Sequence, residues 1–421
     1  MEYKKRIVEK EIDENLSCMG AILIRGPKWC GKTTTSKVFA KDVVELQNPD
    51  LQEKYINILK TKPSLLLKGK KPLLIDEWQL FPLLWNSVKY EVDKSGEAGQ
   101  FILTGSSIPV EDTNLHSGVG RFSIIDMKPM SLYESGDSNG LISLSELLQG
   151  NRDIDGIRCN MEFERIPYLI ARGGWPSSIN VEQKAGLKII KNYINILCDS
   201  DISNIDGVKR NPLLARNILK SYARQVSTID SDIALYNDIV SNYEDVSQRT
   251  VIDYIDVLKK LFIVEEIPAW NPNIRSKTSI RSSLKKTFVD PSLAVAALDC
   301  TVEDLLYDIK TLGLLFENLV NRDLSIYAKS NDGYLNHFRD RFGLECDNVI
   351  HFPGGKYALV EVKLGESGIE EAKRNLLKLT KIIKENKIIK EPEFMMIITG
   401  TEIAYTTDEG ILIVPIGCLR D

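Results

Sequence analysis

The stretch Gly26-Pro27-Lys28-Trp29-Cys30-Gly31-Lys32-Thr33 reads G-x-x-x-x-G-K-[ST], the pattern of a phosphate-binding loop. The apolar run Ala21-Ile22-Leu23-Ile24-Arg25 before it has a strand's length, and Thr34 to Lys41 after it has the composition of a helix. Strand, loop and helix in this order give the pattern a mechanism. Gly26 and Gly31 let the backbone turn its N–H groups inward on phosphate oxygens, with a helix N-terminus behind them. Lys32 is placed to reach the β- and γ-phosphates and the Thr33 hydroxyl to ligate Mg²⁺, while Pro27, Lys28, Trp29, Cys30 and Thr34 complete the cradle. At ordinary residue frequencies a chain of this length matches the pattern by accident about 1–2% of the time.

A second stretch supports the first. Pro72-Leu73-Leu74-Ile75-Asp76-Glu77 is an apolar strand ending in two acids. Strands buried on both faces of a parallel sheet read as continuous apolar runs, and chemistry gathers at their carboxyl ends. Asp76 would hold Mg²⁺, and Glu77 would orient and deprotonate the attacking water. A third strand, Gln100 to Ser107, ends in hydroxyls, of which Thr104 or Ser106 would sense the γ-phosphate. The fold class expected is α/β, a parallel sheet that binds ATP with Mg²⁺.

The chain has 421 residues, enough for two or three domains with their own cores. A hydrophobic share of 43% and a charged share of 27% are ordinary for a soluble globular protein. The net charge of −5 gives no global attraction to nucleic acid or anionic membrane and leaves room only for local basic patches. Residues 1–8 carry positive charge without a following apolar region, which argues against a signal peptide. No apolar run reaches the ~20 residues that span a bilayer. Seven scattered cysteines without a C-x-x-C pair, and three histidines, argue against a zinc site and a disulfide framework. The expected location is the cytoplasm, with reduced thiols.

The nucleotide domain is expected over 1–135. Within it, Gly118-Val119-Gly120-Arg121 places an arginine after a flexible turn. Arg121 reads either as a contact to a γ-phosphate, in its own site or a neighbour's, or as a loop arginine paired with an acid. A helical connector is expected over 136–230, entered through a loop-rich crossing at 131–160. Trp175 in the Arg172-Gly173-Gly174-Trp175-Pro176 turn reads as a packing anchor. Over 231–300, a helix capped by Ser247 and strand-like runs at 262–267 and 285–290 give the layout of a winged helix. Its turn carries Arg275, Lys277, Arg281, Lys285 and Lys286, with no acid between Ile267 and Asp290. Such a wing would neutralise phosphates of double-stranded DNA, or dock on another surface of this acidic chain.

Residues 301–421 read as αβββαβ. Asp347 and the pair Glu361-x-Lys363 fall on adjacent strands, and alternation puts Glu361 and Lys363 on one face. Two carboxylates on neighbouring strands, with Glu317 from the preceding helix, form a candidate Mg²⁺ site, and Lys363 would stabilise developing charge. E-x-K alone occurs about once or twice by accident in such a chain, and a surface ion-pair cluster is the alternative.

Taken together, GPKWCGKT (26–33), LLIDE (73–77), FILTGSS (101–107), SGVGR (117–121), RGGWP (172–176) and ECDNVIHFPGGKYALVEVKLG (345–365) resemble the prokaryotic AAA-type ATPases that carry a C-terminal domain related to the PD-(D/E)XK nucleases. The resemblance implies phosphate, metal and water-activating roles for Lys32, Thr33, Asp76 and Glu77, and a phosphate contact for Arg121. It also implies a nuclease signature in Asp347, Glu361 and Lys363, with Glu317 as the helix acid. One departure is Cys346, which stands where that signature has a proline-aspartate pair ahead of the metal acid. The expected function is an ATPase whose nucleotide state controls a DNA-binding, nuclease-like rear part. The alternatives are a nucleotide-dependent regulatory module with a dead nuclease fold and a protein partner, and a P-loop kinase; oligomerisation stays open.

Overall fold

The computed structural model describes residues 3–106, 119–229, 231–241, 243, 246–271, 284–386 and 389–421. The chain divides into two compact units. One comprises Met1–Pro129, Ser200–Arg210 and Asp256–Ile263; the other comprises Met130–Asp199, Asn211–Ile255 and Val264–Asp421.

The first unit is built on five parallel strands: β1 (Ala21–Arg25), β2 (Asp42–Glu45), β3 (Leu73–Asp76), β4 (Phe101–Gly105) and β5 (Phe122–Asp126). Their order across the sheet is β2-β3-β4-β1-β5. The central strands open on apolar, buried runs, Ala21–Ile24, Leu73–Ile75 and Phe101–Leu103, as a sheet covered on both faces requires, and their polar residues come at the carboxyl ends. The edge strands β2 and β5 alternate or lie half-exposed. The helix Leu83–Ser95 buries Leu84, Val88 and Val92, spaced four apart, against this sheet's core and stops at Gly96 (φ 65°). The short edge strand β2 is absent from the sequence reading. The order decides where chemistry can occur: β4 lies between β1, which delivers the phosphate loop, and β3, which delivers the acids.

In the second unit, residues 131–160 differ from the expected loop-rich crossing. Ser131 and Glu134 form a reciprocal capping box on the helix Leu132–Ser135, and β6 (Ile142–Ser143) leads into the helix Leu144–Leu148. Leu132, Leu144 and Leu147 are buried, and this segment lies in the second compact unit, which begins at Met130. The helices Gln183–Ile196, Pro212–Arg224 and Asp232–Val240 follow; in the helix Gln248–Lys260, whose residues from Asp256 onward count with the first unit, Ser247 Oγ accepts from Thr250 N at 3.1 Å. An antiparallel ribbon comes next, β7 (Val264–Ile267) with β8 (Lys285–Phe288). Arg275, Lys277 and Arg281 lie outside the described residues.

The rear sheet holds β9 (Tyr334–Arg339), β10 (Glu345–Phe352), β11 (Lys356–Lys363), β12 (Phe394–Thr399), β13 (Tyr405–Thr406) and β14 (Leu412–Pro415), in the order β13-β14-β12-β11-β10-β9. With the helices Ile309–Lys329 and Ile369–Asn386, the elements run αβββαβ and then continue into β13 and β14. The final strand β15 (Leu419–Arg420) pairs with β6, and Ser138 Oγ donates to Leu419 O at 2.8 Å, which fastens the chain's end to residues 131–148.

Trp175 is fully buried, with Nε1 donating to Ser292 Oγ at 3.0 Å. The glycine before it has no room for a side chain, because a Cβ on Gly174 would lie 2.0 Å from Met130 O. Asp290 accepts from Gly174 N, Ser292 N and Arg322, so one buried carboxylate joins the turn, the helix Pro291–Leu298 and the helix Ile309–Lys329. Among the described residues no helix is long and apolar enough to cross a membrane.

Candidate nucleotide site and rear acidic cluster

At the end of β1 the chain turns through Gly26 (φ 154°) and Gly31 (φ 106°) into the helix Lys32–Phe39. A Cβ on Gly26 would lie 2.1 Å from Met127 O, so only glycine fits there. The loop is a built structure. Lys32 Nζ donates to Gly26 O at 2.9 Å and Pro27 O at 2.8 Å, and is 4% exposed. Cys30 is buried inside the loop, whereas Trp29, in the left-handed region at φ 67°, is 56% exposed outside it. Lys28 pairs with Asp201 at 2.8 Å. Arg6, which the sequence reading missed, braces the loop from behind: Nη1 donates to Cys30 O and Nη2 to Lys128 O, both at 2.8 Å.

The acids sit beside this loop. Asp76 Oδ1 accepts from Thr33 Oγ1 at 2.7 Å and from Thr104 Oγ1 at 2.6 Å. Thr104 also accepts from Glu77 N at 3.1 Å. Glu77 itself takes a left-handed backbone (φ 55°), which swings its side chain away from the strand's alternation. Its Oε2 accepts from Ser106 Oγ at 3.1 Å and from Gln79 Nε2. The Thr33 hydroxyl and the Asp76 carboxylate, 2.7 Å apart, are hard oxygen donors at a helix start, and they fit Mg²⁺ carried in with phosphates. Such an ion would neutralise charge developing on transferred phosphate oxygens.

Arg121 takes a different position. β1 and β5 are parallel, with Ala21 beside Phe122 and Arg25 beside Asp126. Arg121 therefore stands at the amino end of the sheet, a strand's length from the phosphate loop at the carboxyl end. Its Nε pairs with Asp93 at 2.7 Å. This pairing is the one expected of a loop arginine held by an acid, and it stands away from the chain's own phosphate loop.

At the rear, Glu317 on the helix Ile309–Lys329, Asp347 on β10, and Glu361 and Lys363 on β11 do converge. Lys363 Nζ lies 3.2 Å from Glu361 Oε2, on the shared face that alternation requires. Asp347 Oδ2 accepts from Val362 N at 2.8 Å. A fifth residue decides the character of the cluster. Lys285, 3% exposed, reaches in from β8 and donates to Glu317 Oε1 at 2.7 Å and Asp347 O at 2.8 Å, with Asp347 Oδ1 at 3.9 Å. Burial pushes the Glu317 carboxyl up to about 7 against the pull of Lys285, and pushes Glu361 up to about 9, where Asp347 adds repulsion and Lys363 opposes it. Among the described residues no three His, Cys, Asp or Glu side chains are grouped to hold a metal ion. The cation that lies amid Glu317, Asp347 and Glu361 in this structure is the ammonium of Lys285.

Of the two readings of the basic run, contact with DNA or docking within the chain, Lys285 and Lys286 follow the second. Both are buried, with Lys286 Nζ 3.4 Å from Asp232 Oδ1. The strand that carries them is docked: Asn318 donates to Thr287 Oγ1 at 2.7 Å and Phe288 O at 2.8 Å.

Residues 19–136 match the family model of an AAA domain. Residues 163–304 match a domain of unknown function (DUF8612), and residues 312–419 another (DUF4143). Over residues 19–136 the front part of the chain is similar to AAA domains. Over the longer chain, two relatives are the uncharacterized proteins Mb2031c of Mycobacterium bovis and Rv2008c of Mycobacterium tuberculosis. Each is 23% identical over 359 residues, covering 85% of this chain and 73% of the relative. Among solved structures, the Walker-type ATPase PABY2304 of Pyrococcus abyssi aligns at a TM-score of 0.42 and 13% identity, covering 69% of this chain and 94% of that one. A DNA replication initiation factor aligns at a TM-score of 0.29 and 16% identity, covering 60% and 86%.

Proposed function

We propose that the chain binds and hydrolyses ATP with Mg²⁺ in its front unit. The observation that carries this is the hydrogen-bonded set Thr33–Asp76–Thr104, which brings the start of the helix Lys32–Phe39 together with the ends of β3 and β4 beside the phosphate loop. In this reading Lys32 and the loop N–H groups hold the phosphates, Thr33 and Asp76 hold the metal, and Glu77 takes the proton of the attacking water. Phosphate release from ATP tests it: wild type should turn over, while Glu77→Gln should keep binding and lose at least about 100-fold in rate. Full turnover by Glu77→Gln would remove the water-activating role.

For the rear unit, the favoured reading is the regulatory one. Lys285 fills the cation position among the acids, which supports a domain that binds a partner and does not cleave DNA with a metal. The reading of nucleotide state as a control on DNA engagement is tested in the same assay. Stimulation of turnover by double-stranded DNA would support it, and turnover indifferent to DNA would favour a protein partner. Arg121 would act only across a contact between copies, in which case activity per chain rises with protein concentration.

A further inference from the structure

Glu77 is anchored by a residue outside the motifs. Its Oε2 accepts from two donors, Ser106 Oγ at 3.1 Å and the side-chain amide of Gln79, and that amide also lies 3.3 Å from Ser106 Oγ. The amide can have only one orientation. Turned round, its carbonyl would face a carboxylate, two acceptors with no proton between them. The Gln79 carbonyl Oε1 is buried and takes no hydrogen bond among the described residues, so the donor end alone holds the side chain in place. The space is tight: a Cβ on Gly105 would lie 3.1 Å from Gln79 Oε1 and 3.1 Å from Trp78 Nε1.

We propose that Gln79 is a positioning residue of the hydrolytic site: with Ser106 it fixes Oε2 of Glu77 and leaves Oε1 to receive the proton of the attacking water. The inference rests on the ATPase reading given above. The water oxygen bonds to the γ-phosphorus, the bond from that phosphorus to the bridging oxygen breaks, and ADP leaves with the bonding pair. The proton lost by the water passes to Glu77 Oε1. A carboxylate free to rotate would seldom present that oxygen in line, and misplacement on the order of 1 Å at a reacting group costs roughly 100-fold.

The test is a two-by-two set of full-length chains: wild type, Gln79→Met, Glu77→Gln and the double variant. Single-turnover hydrolysis and ATP affinity are measured on each. Methionine keeps the length of the side chain and removes the donor. The expected result for Gln79→Met is a fall in rate of about 10- to 100-fold, with affinity for ATP within about twofold of wild type. On the Glu77→Gln background it should cause no further loss, because the group it positions is gone. Retained ATP affinity also reports that the unit has folded. An unchanged rate overturns the proposal, as does an equal loss on both backgrounds or a fall in affinity that matches the fall in rate. If wild type releases no phosphate, the ATPase reading fails and the Gln79 proposal with it; if Glu77→Gln keeps full turnover, the water-activating role of Glu77 fails and takes the Gln79 proposal with it; if Glu77→Gln is inactive and Gln79→Met keeps the wild-type rate, the Gln79 proposal alone fails.

Discussion

Each unit gathers acids beside a lysine, and the two arrangements use the lysine in opposite ways. At the front, Asp76 is held by hydroxyls and Lys32 donates to backbone carbonyls, so the ammonium keeps a positive charge that no carboxylate among the described residues pairs with. At the rear, Lys285 pairs with Glu317 and Lys363 with Glu361. A site meant for an anion leaves its cation uncompensated, at a cost in stability. A cluster that compensates itself has spent its charge on the fold, since a buried ion pair broken on one side is strongly destabilising. The difference separates a cation left uncompensated from one that is compensated even where the residue types look alike.

The comparison can be broken most sharply at its two lysines. Lys32→Met should lower ATP affinity by about 100-fold or more, as two charge-assisted phosphate contacts are lost, with little change in the unfolding midpoint. Lys285→Met should do the reverse. It leaves Glu317 buried without its cation and should destabilise the rear unit by about 3–5 kcal/mol in denaturant unfolding, while ATP affinity holds. A loss of ATP affinity in Lys285→Met without a loss of stability would collapse the distinction.

A smaller effect comes from pH. Burial raises Glu317 and Glu361 to about 7 and about 9, above the 4.5 of an unfolded glutamate. A carboxyl raised in this way favours the folded state fully below 4.5, and that contribution drains away as pH climbs, up to about 7 for Glu317 and about 9 for Glu361. Rear-unit stability should therefore decline across this window. Glu361→Gln, which fixes the neutral form, should flatten the part of the decline between pH 5 and 9. An unfolding midpoint in Glu361→Gln that falls with pH as steeply as wild type would count against a protonated Glu361.

The front site was legible because its chemistry is local. Phosphate binding needs glycines, a lysine and a hydroxyl within eight residues, and the two further strands each end in the group that matters. What escaped was support arriving from outside the motifs: Arg6 behind the loop, Gln79 beside Glu77, and the edge strand β2. The rear acids were also legible, because alternation along β11 fixes Glu361 and Lys363 on one face. Their neutralisation was not. Lys285 stands 32 residues before Glu317 and 62 before Asp347, in a run of basic residues that reads as solvated. Only the docking of β8 by Asn318 turns that run inward. Which of its two readings Arg121 follows was not legible for a related reason, since a motif gives a residue's place in the chain and only strand direction gives its end of the sheet.

Trp29 gives the phosphate loop an optical property. Its indole stands 56% exposed at the lip of the loop, while Trp78, Trp175 and Trp270 are buried and Trp85 stacks on Phe122. Four indoles thus emit from sheltered surroundings, and the fifth emits from water beside the place where phosphates would dock. Ligand entry should alter the emission of that fifth indole alone, and Trp29→Phe should abolish the change. The chain would then report its own occupancy by intrinsic fluorescence, with no label attached.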